Sequence, residues 1–358
     1  MKKYLTLLII IVLSGILMSC KEKNDKAALI RGIKFYPEHS RCTDAEICAN
    51  SIHDAGFNTV FMPVRGKDLS DEPEFDLHAF RLELQQLDIR FTAVVQVFHD
   101  PELWDEHPEW RSMDQNLDDS PQSWQKMISP ASEDFRNLKL YHINRIIQEL
   151  KPDMLALDFI RYPVLWENVH VDSIKSITRN YDYNPLTISM FKETYKVDSI
   201  SSGLPENLPS PEWESFKTNQ ITSFVRDVRS LTGDIPLILH ILPWLEKDQE
   251  FYLKSLAGQD VDSLALYADF LSPMLYTMVP GLTQERIRLM LSDFTDRHPY
   301  IRLLPSYLIP DDSAESVSGY DLSKGYLLFH WGKVEKNVNL FKNLNKAGHN
   351  STASGRKK

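Results

Sequence analysis

Eight times between residues 30 and 330 a short apolar run gives way to an amphipathic stretch, and this alternation limits the fold more than any other feature. The runs are 30–36, 58–64, 91–98, 154–160, 236–242, 269–276, 301–307 and 325–330. Several, such as 91–98 (FTAVVQVF), are almost wholly apolar. Strands of that kind are buried on both faces, as in parallel sheets flanked by helices. Residues between them recur at helical spacing: Ile47, Cys48, Ile52 and Ala55 after the first run, and Trp213, Phe216, Ile221, Phe224 and Val228 before the fifth. Thr43 and Glu46 form a capping box for the first helix and Gly56 closes it. Ser129-Pro130 opens the helix before strand four, and Ser210-Pro211 to Gly233 bounds the next. Eight strand–helix units over 30–346 match a (β/α)8 TIM barrel, an α/β fold, with insertions after strands three and four at 99–128 and 163–209. A doubly wound sheet would show a glycine-rich phosphate turn after strand one. Here Pro37-Glu38-His39-Ser40 follows, and no GxGxxG or Walker motif occurs.

The N-terminus reads as an address. Lys2 and Lys3 precede a 15-residue apolar run, Tyr4 to Met18, shorter than the roughly 20 residues a membrane span needs. It ends in Leu17-Met18-Ser19-Cys20, which resembles the bacterial lipobox. That resemblance implies a signal peptide over 1–19 and lipid attachment at Cys20. Residues 20–29 would then be a polar tether, anchoring the protein in the cell envelope, at the outer membrane. Residues 347–358 are expected to form a disordered tail. Cleavage would leave 38 basic and 50 acidic residues, a net charge of −12. Such a surface repels phosphate backbones and argues against a nucleic-acid partner. Of the remaining cysteines, Cys48 lies on an apolar helix face, so a buried free thiol is expected, with a Cys42–Cys48 disulfide as the alternative.

A TIM barrel carries its active site at the C-terminal ends of its strands. There the sequence places Glu38 and His39, Arg65 and Asp68, His99, Asp100 and Trp104, then Asp158, Arg161 and Tyr162. Trp244 and Glu246, Tyr276, Tyr307 and Asp311, and His330 and Trp331 complete the rim. Asp158 stands out, because a carboxylate inside an apolar strand is costly unless paired or used. Arg161 is its expected partner. Every tryptophan but Trp213 follows a strand, where indole rings can serve as stacking platforms for sugar faces or can cover loop cores.

Four segments resemble bacterial TIM-barrel glycosyl hydrolase-like lipoproteins. They are Leu157 to Pro163 (LDFIRYP), His107 to Arg111 (HPEWR), Ser129 to Arg136 (SPASEDFR) and Leu271 to Tyr276 (LSPMLY). The resemblance implies hydrolysis of glycosidic bonds in oligo- or polysaccharides, with no cofactor and no metal. Asp158 would be the ionised carboxylate and Glu246 the acid, with Glu38, Asp100 and Asp311 in reserve. Arg65, Trp104, Arg161, Tyr162, Trp244, Tyr276, Tyr307, His330 and Trp331 are the expected substrate contacts. Two other readings remain open: a surface glycan-binding protein on the same barrel, and a metal-dependent hydrolase.

Overall fold

The computed structural model describes residues 29–69, 75–119, 122–177, 179–196, 210–244, 252–309, 320–339, 341–343 and 345. Its strands are β1 (Arg31–Lys34), β2 (Thr59–Pro63), β3 (Arg90–Gln96), β4 (Met154–Asp158), β5 (Leu237–Ile241), β6 (Phe270–Leu275), β7 (Arg302–Leu303), β8 (Ser306–Leu308) and β9 (Tyr326–Phe329). All pair in parallel, and β1 bonds both β2 and β9, so the sheet closes on itself. The segments β7 and β8 both pair with β6 and together fill the seventh place. Pro305 separates them, and proline has no N–H to give the ladder. The fold is therefore the expected closed eight-strand (β/α)8 barrel.

Every strand except the two-residue β7 buries residues on both faces. Ile30, Val94, Met154, Ala156, Ile238 and Leu327 pack within the barrel as a cluster of their own. The alternate residues, such as Ile33, Leu155 and Leu239, pack outward against the helices. The period of two then decides what reaches the mouth. Lys34, Asp158 and His240 lie on the inward face, two or four positions beyond these apolar residues.

Local signals were shifted in two places. The first helix, α1 (Ala45–Asp54), is capped by Asp44, which accepts from the Ile47 N–H, rather than by a Thr43 capping box. The helix before β4 is Glu133–Leu150 and its cap is Ser132, three residues past the Ser129 start expected from sequence. Serine at 129 instead hydrogen-bonds Thr187 inside the insertion. The expected long loop at 99–128 contains a short helix, Pro101–Glu106. The Ser210 cap, the Pro211–Thr232 helix and Gly233 at its end are as read. Cys42 and Cys48 form a disulfide with Cα atoms 5.5 Å apart, replacing the expected free thiol. Among the described residues no helix is long and apolar enough to cross a membrane.

Gly32 marks the tightest point of β1. A Cβ there would meet Phe61 Cε2 at 2.8 Å and the Tyr326 carbonyl at 3.1 Å. Gly32→Ala is expected to cost about 1–3 kcal/mol through overpacking, read as a lower denaturation midpoint with an unchanged slope.

Candidate active site

The chain places two opposite charges inside the mouth. Asp158 ends β4, and its Oδ2 accepts from Lys34 Nζ of β1 at 3.0 Å. The lysine side chain is 2% exposed and the aspartate side chain 12%. Asp158 Oδ1 accepts the Phe159 N–H at 2.9 Å. Phe159 has φ of +52°, a left-handed conformation that costs energy for a phenylalanine and turns the chain sharply off the strand. Burial works to raise the Asp158 pKa, but the Lys34 ammonium overrides it and holds the carboxyl well below its usual range. Lys34 is the converse. Burial disfavours its charge, yet Asp158 keeps it protonated far above neutrality.

Three titratable groups around this pair, His240, Tyr36 and Tyr276, are neutral at physiological pH. Burial pushes His240 down to about 3 and Tyr36 up to about 12. Tyr276 is likewise raised by burial. Phe329, 5.5 Å from Lys34 Nζ, meets Tyr36 edge-on and Tyr276 at a tilt, both at 5.7 Å between ring centres. Beside the pair opens a cleft of about 750 Å³, lined by Tyr36, Glu38, Met62, Arg65, Asp68 and Gln96. Neither Asp158 nor Lys34 lines this cleft, but Gln96, the register partner of Asp158 across β3 and β4, does.

Several expected site residues lie elsewhere. The Asp158 partner is Lys34, not Arg161. Arg161 is buried, donates to the Tyr162 carbonyl and reaches Asp158 only as a more distant charge. Tyr162 is fully buried and donates to the Lys217 carbonyl. Trp166, Trp244 and Trp331 are core residues, and Tyr307 is buried in a stack on Tyr320 at 4.1 Å. Trp104 is half-buried with the Arg111 and Lys126 cations 3.6 and 4.1 Å from its ring. The rim keeps Arg65, paired with Asp68 at 3.0 Å, Tyr276, and His330, which lies edge-on to Tyr36. Trp124 is the most open of the described tryptophans, at 44%. Asp100 caps Pro101–Glu106 and binds Lys139 at 2.8 Å. Glu246, Asp311 and Cys20 lie outside the described residues.

Neither Lys34 nor Glu167 was among the expected site residues. Lys34 was legible: it interrupts an apolar run, as Asp158 does, and sits four residues after inward-facing Ile30. Glu167 follows Trp166 in the insertion and is half-buried; burial raises its pKa against the opposing pull of Arg161. Nothing in its local sequence distinguishes it from a solvated loop glutamate.

No protein-family profile and no curated protein match this chain. Solved structures do. The glycoside hydrolase domain of PgaB (BpsB) from Bordetella bronchiseptica aligns with a TM-score of 0.62 at 12% identity, over 88% of this chain and 98% of that one. Alpha-L-fucosidase isoenzyme 2 from Paenibacillus thiaminolyticus gives 0.60 at 12% identity over 92% of this chain. A catalytic mutant of Gan42B, a GH42 beta-galactosidase from G. stearothermophilus, gives 0.59 at 13% over 90%. The chain spans 50% and 57% of those two proteins. At such identities the likeness establishes the barrel fold, of the kind seen in glycosidases.

Breaking the ion pair is expected to be expensive. Lys34→Met and Asp158→Asn should each cost about 3–5 kcal/mol, because each strands a buried charge, while Lys34→Met/Asp158→Leu should recover most of the loss. The pH dependence follows from the shifts. Asp158 titrates lower when folded, so its contribution is full above the unfolded value near about 4 and is lost as pH falls below it. Lys34 titrates higher when folded, so its contribution is full below about 10.4 and is lost as pH rises through the folded value. Denaturation series across pH should therefore show a plateau between those limits that Lys34→Met abolishes.

Proposed function

We propose that this protein is a glycoside hydrolase acting at the barrel mouth, with Asp158 as its ionised carboxylate. The observation that carries this reading is a carboxylate kept ionised by Lys34 at the C-terminal end of β4, beside an open cleft, on a barrel shared with glycosidases. Cleavage of a glycosidic bond builds positive charge at the anomeric carbon. A poorly solvated carboxylate, with lone pairs beyond those used by Lys34 and Phe159, can stabilise that charge. Neutral Tyr36 and Tyr276 phenols beside it can hydrogen-bond sugar hydroxyls. Arg65 and His330 stand on the rim as further contacts.

The rival reading, a glycan-binding protein without turnover, drew on a ring of tryptophans at the mouth. Burial of Trp166, Trp244 and Trp331 weighs against it. We also propose that the chain is exported and lipid-anchored through Cys20. The Cys42–Cys48 disulfide supports export, because such bonds persist in oxidising compartments.

Purified protein lacking residues 1–20 is expected to hydrolyse at least one member of an oligosaccharide panel. Asp158→Asn should lower that rate by about a hundredfold or more, under conditions where circular dichroism shows the variant folded. Glycan binding without turnover by wild type would overturn the proposal. In cells, labelled palmitate should enter the full-length protein and be absent from Cys20→Ala.

A further inference from the structure

A second pocket, of about 530 Å³, lies at the end of the barrel away from the mouth. Arg90, Phe270 and Arg302 line it and are the first residues of β3, β6 and β7, while Gly325 immediately precedes β9. Its floor is the lower end of the apolar interior, where Ile30, Phe270 and Leu304 belong to the inner cluster. Its walls carry charge. Arg90, Arg288, Arg302 and Lys324 stand against Asp296 and Asp321, a local charge of +2 on a chain whose net charge is −10.

The cations here are not spent on one another's neighbours. Arg288, Arg302 and Lys324 are exposed and form no direct ion pair among the described residues. The Arg302 guanidinium lies over the Phe270 ring, 3.9 Å from its centre, which fixes the planar group in place. Burial, and then the Arg31 and Arg302 charges, lower the Arg90 pKa against the pull of Asp153 and Asp88, so like charges are crowded at this end. The acids are more fully engaged. Asp321 accepts from the Ser323 N–H and hydroxyl, Asp153 is tied to Arg81 at 3.2 Å, and Asp269 to Arg229 at 2.9 Å. The helix Gln284–Arg297 adds Arg288, Leu291, Ser292 and Thr295 to the pocket as one stripe at helical spacing.

The chain also enters the barrel from this end. Leu29 lines the same pocket, and its carbonyl accepts from Asn58 Nδ2 at 2.8 Å. Cys20 lies nine positions earlier in the sequence. Nine residues reach at most about 30 Å, so a lipid on Cys20 would hold this end of the barrel near the bilayer.

We propose that this underside is a membrane-facing surface whose arginines and lysine take the phosphates of anionic phospholipid headgroups. Its orientation rests on the lipid-anchor reading above. Guanidinium groups match phosphate oxygens with paired N–H donors, and a basic patch beside a lipid anchor supplies the second signal that stable attachment needs. Docked in this way, the barrel turns its mouth and the Asp158 cleft away from the bilayer, toward polymeric substrate.

The test uses protein lacking residues 1–20, so its outcome is separate from the palmitate test of the anchor. Retention is measured at low salt on vesicles of phosphatidylcholine and of phosphatidylcholine mixed with phosphatidylglycerol. The acidic remainder of the surface is repelled by anionic vesicles, so retention reports this face. Binding is expected on the mixed vesicles only and should weaken as salt rises. Each cation near such a surface is worth about fivefold in partitioning, so Arg288→Gln/Arg302→Gln/Lys324→Gln should bind about a hundredfold less tightly. On mixed vesicles Lys324 should be shielded from amine acetylation, while Lys67 at the mouth stays as reactive as in free protein. No retention on mixed vesicles, equal retention on both kinds, or retention untouched by the triple change would overturn the proposal. So would protection of Lys67 rather than Lys324. Release by inorganic phosphate beyond that caused by chloride at equal ionic strength would mark a site for free anions and overturn the membrane assignment.

Discussion

A lysine ammonium and an aspartate carboxylate, 3.0 Å apart within the mouth of a closed barrel, set the terms for everything around them. Neither charge could stay buried alone. Together they are tolerable, and the interior beneath them is apolar, with Ile30, Val94 and Ala156 filling the barrel. Burial keeps the His240 imidazole neutral and pushes the Tyr36 and Tyr276 phenols further from ionisation. The result is a buried carboxylate paired with one ammonium, with neutral hydrogen-bonding groups close by. Buried ion pairs contribute little net stability against apolar substitutes. A pair kept in such a place is more readily understood as part of a site than as a brace.

The barrel was legible in the sequence because its strands are apolar on both faces and its helices keep a strict stripe. Strand positions agree to within two or three residues at each end. The site was legible only in part. Asp158 betrayed itself by interrupting an apolar run. Its partner was misread because Arg161 is close in sequence, whereas Lys34 is 124 residues away and meets Asp158 only once the barrel closes. The tryptophans were misread for a related reason. Residues after a strand can turn outward to the rim or fold under the loops, and local sequence does not distinguish the two.

The insertions show where sequence motifs found structural rather than chemical use. In the HPEWR segment His107 stacks on Trp110 at 3.6 Å, and the Glu109 and Arg111 carbonyls accept from Asn184 Nδ2. Asp182, fully buried, accepts from Thr187 and Ser112 hydroxyls and from the Met113 N–H. These contacts knit the insertion after β3 to the one after β4. A rigid joint of this kind can hold loop residues over a barrel mouth with the accuracy that chemistry needs.

Hydrolysis at this mouth requires an Asp158 carboxylate that is ionised and turned toward the cleft. A crystal structure of the protein soaked with a panel of iminosugars, whose protonated ring nitrogen mimics the charge at an anomeric carbon, tests this most directly. The expected result is a ring nitrogen within hydrogen-bond distance of Asp158, with the sugar hydroxyls near Tyr36 and Tyr276. An iminosugar bound away from Asp158, or an Asp158 carboxylate wholly enclosed by Lys34 with no approach from the cleft, would contradict it.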